Sequence, residues 1–399
     1  MEPATASVEP ATGLDSPRGW VVVAAAFLSM FVVFGITYSF GTFFDSMAED
    51  FDTGKGATAL MFSITTAWYF GLGLFSGRLA DRFGPRPLVL VAAASLGVAL
   101  LLTSRVESIW LGYLTYGVGV GIAVACAYVP MVAAVGGWFV TRRTAALGVA
   151  VAGIGVGTLV VAPISERLIE AYGWRTAYVV LGVGGAVLLL LASAGARRPP
   201  VTVVQEPVVL RQVVRQRGFV VLYLAILTLS AALFTPFVFI KSYATDRGID
   251  DGPAAALVGI IGASSVVGRL ALGGLGARLG ATRLTQLSFV VLTASFLIWL
   301  AAGDRFGVLV AFAVVMGISY GGFIALTPAV AAGLFGTAGL GAVLGALYTA
   351  AAVGGLFGPP IIGVLIDGVS YAAGIVVTMI VSGVATVVLF ALPAGHDRR

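Results

Sequence analysis

The sequence predicts an all-α membrane protein with twelve transmembrane helices in two pseudo-symmetric six-helix halves. Three observations predict it. Hydrophobic residues make up 59% of the chain and charged residues 10%, well below the roughly 25% charge of a soluble domain, and mean hydropathy is +1.04. Twelve apolar runs, each near the ~20 residues that cross a bilayer as helix, fill most of the 399 residues. Matching segments also recur at one offset of 196 residues, close to half the chain. A fixed offset of that size argues for an internal repeat.

The elements follow in order. The tail, 1–19, holds acids and one arginine and lacks a cationic n-region and cleavage site, so the first helix is expected to be retained. Run 20–44 ends at Asp45, and run 57–77 leads into an arginine-rich loop. Run 87–104 is short; run 108–135 carries Cys126 and Tyr128. Run 143–165 follows Arg142 and Arg143, and its Gly153, Gly155 and Gly157 suit close helix contact. Run 174–195 closes the first half, 20–195. In the linker, 196–217, three prolines break helix, and VVLRQVVRQRGF reads as a basic amphipathic piece or a plain solvated connection. The second half, 218–392, holds runs 218–241, 253–276, 284–303, 305–333, 339–366 and 371–392, and a tail, 393–399, follows.

Loop charges set the orientation. With both termini cytoplasmic, inside segments hold 15 of the 23 Lys and Arg, and outside segments hold 7. Acids lean the other way, 12 outside and 6 inside, with Glu166 counted outside and none assigned to the membrane core. This bias is the positive-inside pattern of a multi-pass protein, expected here in a cytoplasmic (inner) membrane. It accounts for the net charge of +5 without invoking nucleic acid. The single cysteine excludes an intrachain disulfide. The single histidine, His396, lies in the tail, so no metal site or histidine relay is expected.

One Lys or Arg is left over: Arg269, inside the run 253–276. A cation near the bilayer centre costs about 2.5–3.5 kcal/mol on insertion scales, so it marks a functional site. With no acid assigned to the core, an anion is its expected intermittent partner. The competing reading is an arginine that snorkels or caps backbone carbonyls. Tyr128 and Tyr320 fall at similar depth and offer hydroxyl donors on apolar bodies. Tyr38, Tyr69, Tyr116 and Tyr348 are weaker candidates, and Phe323 and Phe234 would shape an apolar wall.

Several motifs carry a family resemblance. The loop GRLADRFGPRP resembles the signature loop of the major facilitator superfamily, Gly-x-x-x-Asp-Arg-x-Gly-Arg-x. Asp81 is placed to meet a helix N-terminus of the other half, and Arg82 and Arg86 to bond across the inner seam. The repeat copy has Ala277 where the first has Asp81. The opening span RGWVVVAAAFLSMFVVFGITYSFGTFF resembles that of monocarboxylate carriers. So do YVPMVAAVGGWFVTRRTAALGVAVAGIGVG, with Arg142 and Arg143, GISYGGFIALTP and GGLFGPPIIGVLID. The resemblance spans nearly the whole chain and implies the bacterial branch of the monocarboxylate porters, near the oxalate/formate antiporters. It places Arg269 at the helix-8 arginine that contacts substrate carboxylate. Family members often carry an acid one turn earlier; here that position is Ser265. The lysines of animal members in helix 1 and of oxalate carriers in helix 11 have no counterpart. One fixed cation suits a monoanion.

The expected function is therefore alternating-access transport of a small monocarboxylate such as lactate or pyruvate. Arg269 anchors the carboxylate. Tyr128, Tyr320, Ser265, Tyr38 and Phe323 complete the site, with Asp81, Arg82, Arg86, Arg142 and Arg143 as the inner gate. Asp45 and Lys241 share the 196-residue offset with opposite charge and are expected to pair as an outer gate. The resemblance implies proton symport, while Ser265 predicts weaker coupling, with exchange or uniport as the alternative. A membrane anion sensor is the rival of another class. An enzyme lacks the core carboxylate, histidine or metal cluster it would need. The expected unit is a monomer in a lipid bilayer, with no cofactor.

Overall fold

The computed structural model describes residues 14–200, 210–336 and 340–392. Both extreme tails, the linker stretch 201–209 with Pro207 and the start of VVLRQ, Thr337 and Gly339, and the side chain of Ala277 lie outside the described residues.

The described residues are helical apart from short connections. In order the chain forms α1 (Pro17–Asp50), α2 (Lys55–Phe83), α3 (Pro85–Thr103) and α4 (Ile109–Trp138). A continuous helical stretch, Arg143–Gly195, comes next. At about 1.5 Å per residue, its 53 residues are more than twice the reach of a ~30 Å hydrocarbon core. It turns back at Gly173, where φ is +77°, a conformation glycine adopts without a Cβ clash. Gly153 and Gly157 before the turn lie against Phe27 and Phe31 of α1. Gly185 and Gly195 after it lie against Val32 and Val21 of the same helix. The stretch is thus two spans, α5 (143–172) and α6 (174–195).

The second half holds α7 (Arg217–Thr245), α8 (Asp251–Leu279), α9 (Ala281–Leu300), α10 (Phe306–Phe335), α11 (Leu340–Gly368) and α12 (Tyr371–Phe390). That makes twelve spans among the described residues.

The repeat is visible in the breaks. Gly84, φ +86°, separates α2 from α3, and Gly280, φ +89°, separates α8 from α9 at the same offset. Pro85 then occupies the first position of α3, where its missing N–H costs nothing. Helix α1 is interrupted at Ser39 and α7 at Phe234. In α7 the cause is Pro236, which cannot donate to the helical ladder. In α4 the turn Tyr113–Val118 is a π-helix, the one-turn widening often found near functional sites.

Large apolar side chains such as Trp110, Leu191, Val364, Val387 and Phe390 point outward. A soluble protein rarely tolerates so extensive an apolar exterior; acyl chains are its natural solvent. Inside, the halves meet along two seams, α5 with α8 and α2 with α11. Both are lined by glycine. A Cβ on Gly155 would strike the Gly262 carbonyl, and one on Gly363 would come 2.6 Å from the Gly56 nitrogen.

Candidate functional site

Arg269 lies on α8, ten residues before the helix ends at Leu279. It is 7% exposed. Its Nη1 donates to the Val151 carbonyl of α5 at 3.0 Å, across the seam. Its guanidinium sits over the Tyr320 ring of α10, 5.5 Å from the centroid, a cation–π arrangement. The carbonyl contact is the one the capping reading foresees, but it uses a single donor. Nε and Nη2 are buried without a hydrogen-bond partner. Among the described residues, no carboxylate lies within 4.0 Å of this cation.

An aromatic cluster continues from Tyr320 into the first half. Its hydroxyl is 3.0 Å from that of Tyr38 on α1. Tyr38 stacks on Phe237 of α7, with centroids 4.5 Å apart. Phe34 touches Tyr38, Tyr69 and Tyr128 edge-on or tilted. A small, mostly apolar cavity is lined by Tyr38, Phe70, Phe234, Tyr320, Phe323 and Tyr348, among others. Arg269 lies under Tyr320, outside that lining.

The structure therefore brings Arg269, Tyr320, Tyr38, Tyr128 and Phe323 into one region between the halves. Tyr69, Phe70 and Tyr348 join them. The Tyr69 hydroxyl is buried and unpaired. Tyr116 does not belong to this region; it packs between Phe40 and Tyr178. Ser265 is fully buried, its hydroxyl donating to the Gly262 carbonyl at 2.7 Å. Its backbone meets Gly321 of α10. In this structure the Ser265 hydroxyl is thus spent within its own helix and does not meet Arg269.

The two ends of the molecule differ. At the arginine-rich end, polar contacts stay within the first half: Trp138 Nε1 donates to the Arg197 carbonyl at 3.2 Å, and Arg198 Nη2 to the Arg82 carbonyl at 2.6 Å. Asp15 accepts from the backbone N–H groups of Val140, Thr141 and Arg142 at 3.1–3.3 Å. Asp81, Arg82, Arg86, Arg142 and Arg143 are exposed. Among the described residues, no hydrogen bond or ion pair joins the halves at this end.

At the far end the halves are latched. Asp45 Oδ1 of α1 accepts from Ser242 Oγ of α7 at 2.6 Å. Asp367 of α11 accepts from the Lys55 backbone N–H at 2.6 Å, a carboxylate on the N-terminus of α2, where the helix dipole favours it. Lys241 is 6% exposed, 2.9 Å from Asp251 Oδ1 and 3.5 Å from Glu166 Oε1. The expected Asp45–Lys241 pair is thus corrected: Lys241 turns to Glu166 and Asp251, and Asp45 takes the neighbouring serine. The offset of 196 also relates Lys55 to Asp251, so charge is inverted at two quasi-equivalent positions.

Glu166 is the main residue that sequence reasoning misplaced. It lies inside α5, 3% exposed, seven residues before the turn at Gly173. The charged run after Pro163 reads as a loop, yet it is helix. Asp15 likewise falls in the tail 1–19 by sequence, yet its carboxylate is held by backbone N–H groups. Its signal was local: an acid just before Ser16-Pro17, the start of a helix.

The pattern of the Major Facilitator Superfamily matches residues 26–305. The chain belongs to that superfamily. Within it, the chain is a monocarboxylate-porter-like member. It is 30% identical over 372 residues to monocarboxylate transporter 13 of Bos taurus, covering 91% of this chain and 86% of that one. It is 32% identical over 370 residues to monocarboxylate transporter 3 of Rattus norvegicus, covering 88% and 75%. A bacterial homolog of the human lysosomal transporter Spinster, solved inward-facing and unoccupied, superposes with a TM-score of 0.75 at 14% identity. That match covers 94% of this chain and 97% of the other, a likeness of fold alone. Membership places the chain among multi-pass membrane carriers, not enzymes.

Proposed function

We propose that the protein is a secondary transporter of a small monocarboxylate, with lactate and pyruvate as the leading candidates, working by alternating access. One observation carries the reading: Arg269 is buried between the halves with Nε and Nη2 unpaired. Those two nitrogens form the side-on edge of the guanidinium, which meets a carboxylate through two parallel hydrogen bonds. The substrate's carboxylate takes that edge. Its short apolar remainder faces the cavity of Phe70, Phe234 and Phe323. Tyr320, Tyr38 and Tyr128 orient it. A single fixed cation matches a monoanion.

In the same reading the arginine-rich end faces the cytoplasm of an inner membrane, both termini included. The carrier acts as a monomer. The far end, latched in this structure, opens through Asp45, Lys241 and their neighbours. Asp81, Arg82, Arg86, Arg142 and Arg143, unlatched here, engage in the opposite state. The chain divides at the linker 196–217 into the halves 20–195 and 218–392, with tails 1–19 and 393–399.

The family is consistent with proton-linked uptake. One observation favours anion exchange as the faster mode: among the described residues no acid pairs with Arg269. An empty carrier must return with this cation uncompensated, whereas a loaded one returns neutral. Uptake of labelled lactate into proteoliposomes with an inward proton gradient, compared with counterflow at equal pH, tests both. Saturable uptake of either kind supports the carrier. Counterflow faster than net uptake supports exchange. Binding of lactate or pyruvate without any movement would overturn the carrier and leave a sensor.

A further inference from the structure

The far-end cluster holds more acid than base. Glu166 on α5, in the first half, shares Lys241 with Asp251 of α8, in the second. The better contact, 2.9 Å, goes to Asp251, whose side chain is 53% exposed. The buried Glu166 keeps the longer contact of 3.5 Å, and its Oε2 is buried with no partner. Of the other charged groups around this pair, Lys55 of α2 is the one further base among the described residues, and it acts on Asp45 rather than on Glu166. Asp45 comes from α1, and Asp246 ends α7 beside it. On α5 itself, Glu170 faces the pair one turn on, and Arg167 points outward, exposed. Asp50 of α1 is engaged by Arg175. One buried ammonium thus stands among Glu166, Asp251 and Asp45.

A buried carboxylate that must share the one cation within 4.0 Å of it among the described residues, with its second oxygen unpaired, is costly. A poorly compensated buried ion costs more than an unpaired neutral polar group in the same place. A proton on Oε2 removes the excess negative charge and leaves the Lys241–Asp251 pair intact. Opening the far end would return Glu166 and Lys241 to water, where both hold their charge without help.

We propose that Glu166 is a proton-binding site: it takes a proton from far-side water as the far end shuts and returns it to the same side on opening. The proton is not carried across. Glu166 and Val151, whose carbonyl holds Arg269, are fifteen residues apart on one helix, about 22 Å along its axis. The site instead makes the outward-opening step sensitive to far-side acidity, with acid holding the far end closed. This rests on the reading that the far end opens during the cycle.

The test uses full-length protein in liposomes, spin-labelled at Glu107→Cys and Asp304→Cys in a Cys126→Ser background. Both positions are exposed loop residues at the far end, one in each half. Distance distributions are compared at about pH 5.5 and about pH 8, a window in which a coupled group changes the closed-to-open ratio by about threefold or more. The wild type should be more closed at the lower pH. Glu166→Gln should be closed at both, with no pH response. Asp251→Asn frees Lys241 for Glu166 and should flatten the response too; it supplies the decision if Glu166→Gln does not insert. An undiminished pH response in either variant overturns the proposal, as does a pH-independent wild type that still opens. Lactate counterflow on the same samples separates the two readings. Counterflow with visible far-end opening but no pH response sinks this site alone. No opening and no counterflow sinks the carrier.

Discussion

Replacing Arg269 by lysine keeps the charge and removes the fork. In the structure the guanidinium gives Nη1 to the Val151 carbonyl, which fixes its plane against α5. Nε and Nη2 are then left together on the other edge. A bound carboxylate should use both. Hydrogen bonds to charged groups contribute about 1.5–3 kcal/mol each. Lysine offers a point charge in place of two parallel donors, so Arg269→Lys should lose about one such bond. That corresponds to roughly 10- to 150-fold weaker binding. Arg269→Gln loses the charge as well and should bind too weakly to measure. The assay is equilibrium binding of labelled lactate or pyruvate to purified protein, with thermal unfolding as a control for insertion and folding. Lysine should leave the unfolding temperature close to wild type, because among the described residues no carboxylate pairs with this cation. Binding by a folded Arg269→Lys within about threefold of wild type would refute the bidentate argument; intact binding by Arg269→Gln would remove Arg269 from the site altogether.

Further predictions concern the ends and the seam. The Thr141 N–H, followed by those of Arg142 and Val140, holds the Asp15 carboxyl below its usual range. A depressed acid contributes fully above its unfolded value and loses that contribution as pH falls through the folded one, so the Asp15 tether should be complete at neutral pH and fade below about pH 4. In hydrogen exchange, Asp15→Ala should lower protection of residues 140–142 at neutral pH; unchanged protection would deny the tether. Gly155 has the Gly262 carbonyl where its Cβ would stand, so Gly155→Val should push α5 from α8 and shift the far-end distances toward open. A distribution identical to wild type would show that the seam has slack. At about pH 8, where protonating Glu166 is least favourable, Lys241→Met leaves that carboxyl without its cation and should lower thermal stability. Lys241→Met with Glu166→Gln should recover much of that loss, while Lys241→Met with Asp45→Asn should not, and a double-mutant cycle on thermal stability measures both.

Much of this molecule is legible in the sequence because the bilayer imposes simple rules. Length and apolarity mark the spans, Gly84-Pro85 marks the turn after the second, and the repeat offset matches it to Gly280. Arg269 stands out for the same reason: in an apolar run a cation has few innocent explanations. What was not legible depends on chain segments that meet only in three dimensions. Glu166 was placed in a loop because Pro163 and the following charges lower the local hydropathy. Helix geometry tolerates that run because Lys241, 75 residues away, comes to meet it. Symmetry suggests an Asp45–Lys241 pair, but in the structure Asp45 bonds Ser242 and Lys241 turns to Asp251 and Glu166. Ser265 shares a helix face with Arg269, yet four residues of α-helix also rotate by about 40°, enough to turn one toward α10 and the other toward the seam. Tyr69 carried no mark that separates a packing tyrosine from one beside a binding site.

The inverted charges at the far end also bear on how the two halves recognise each other. Asp45 and Lys241 are quasi-equivalent, as are Lys55 and Asp251, and each position has the opposite sign in the other copy. Two first halves brought together in the native arrangement would set Asp45 against Asp45, and two second halves would set Lys241 against Lys241. Like charges at such a meeting point are a penalty against the wrong partner. The duplicated architecture is therefore not interchangeable with itself. If the chain were cut at the linker and its halves co-expressed, the unlike pair should assemble in preference to either like pair. The far-end charges would act as the key that makes one molecule from two similar ones.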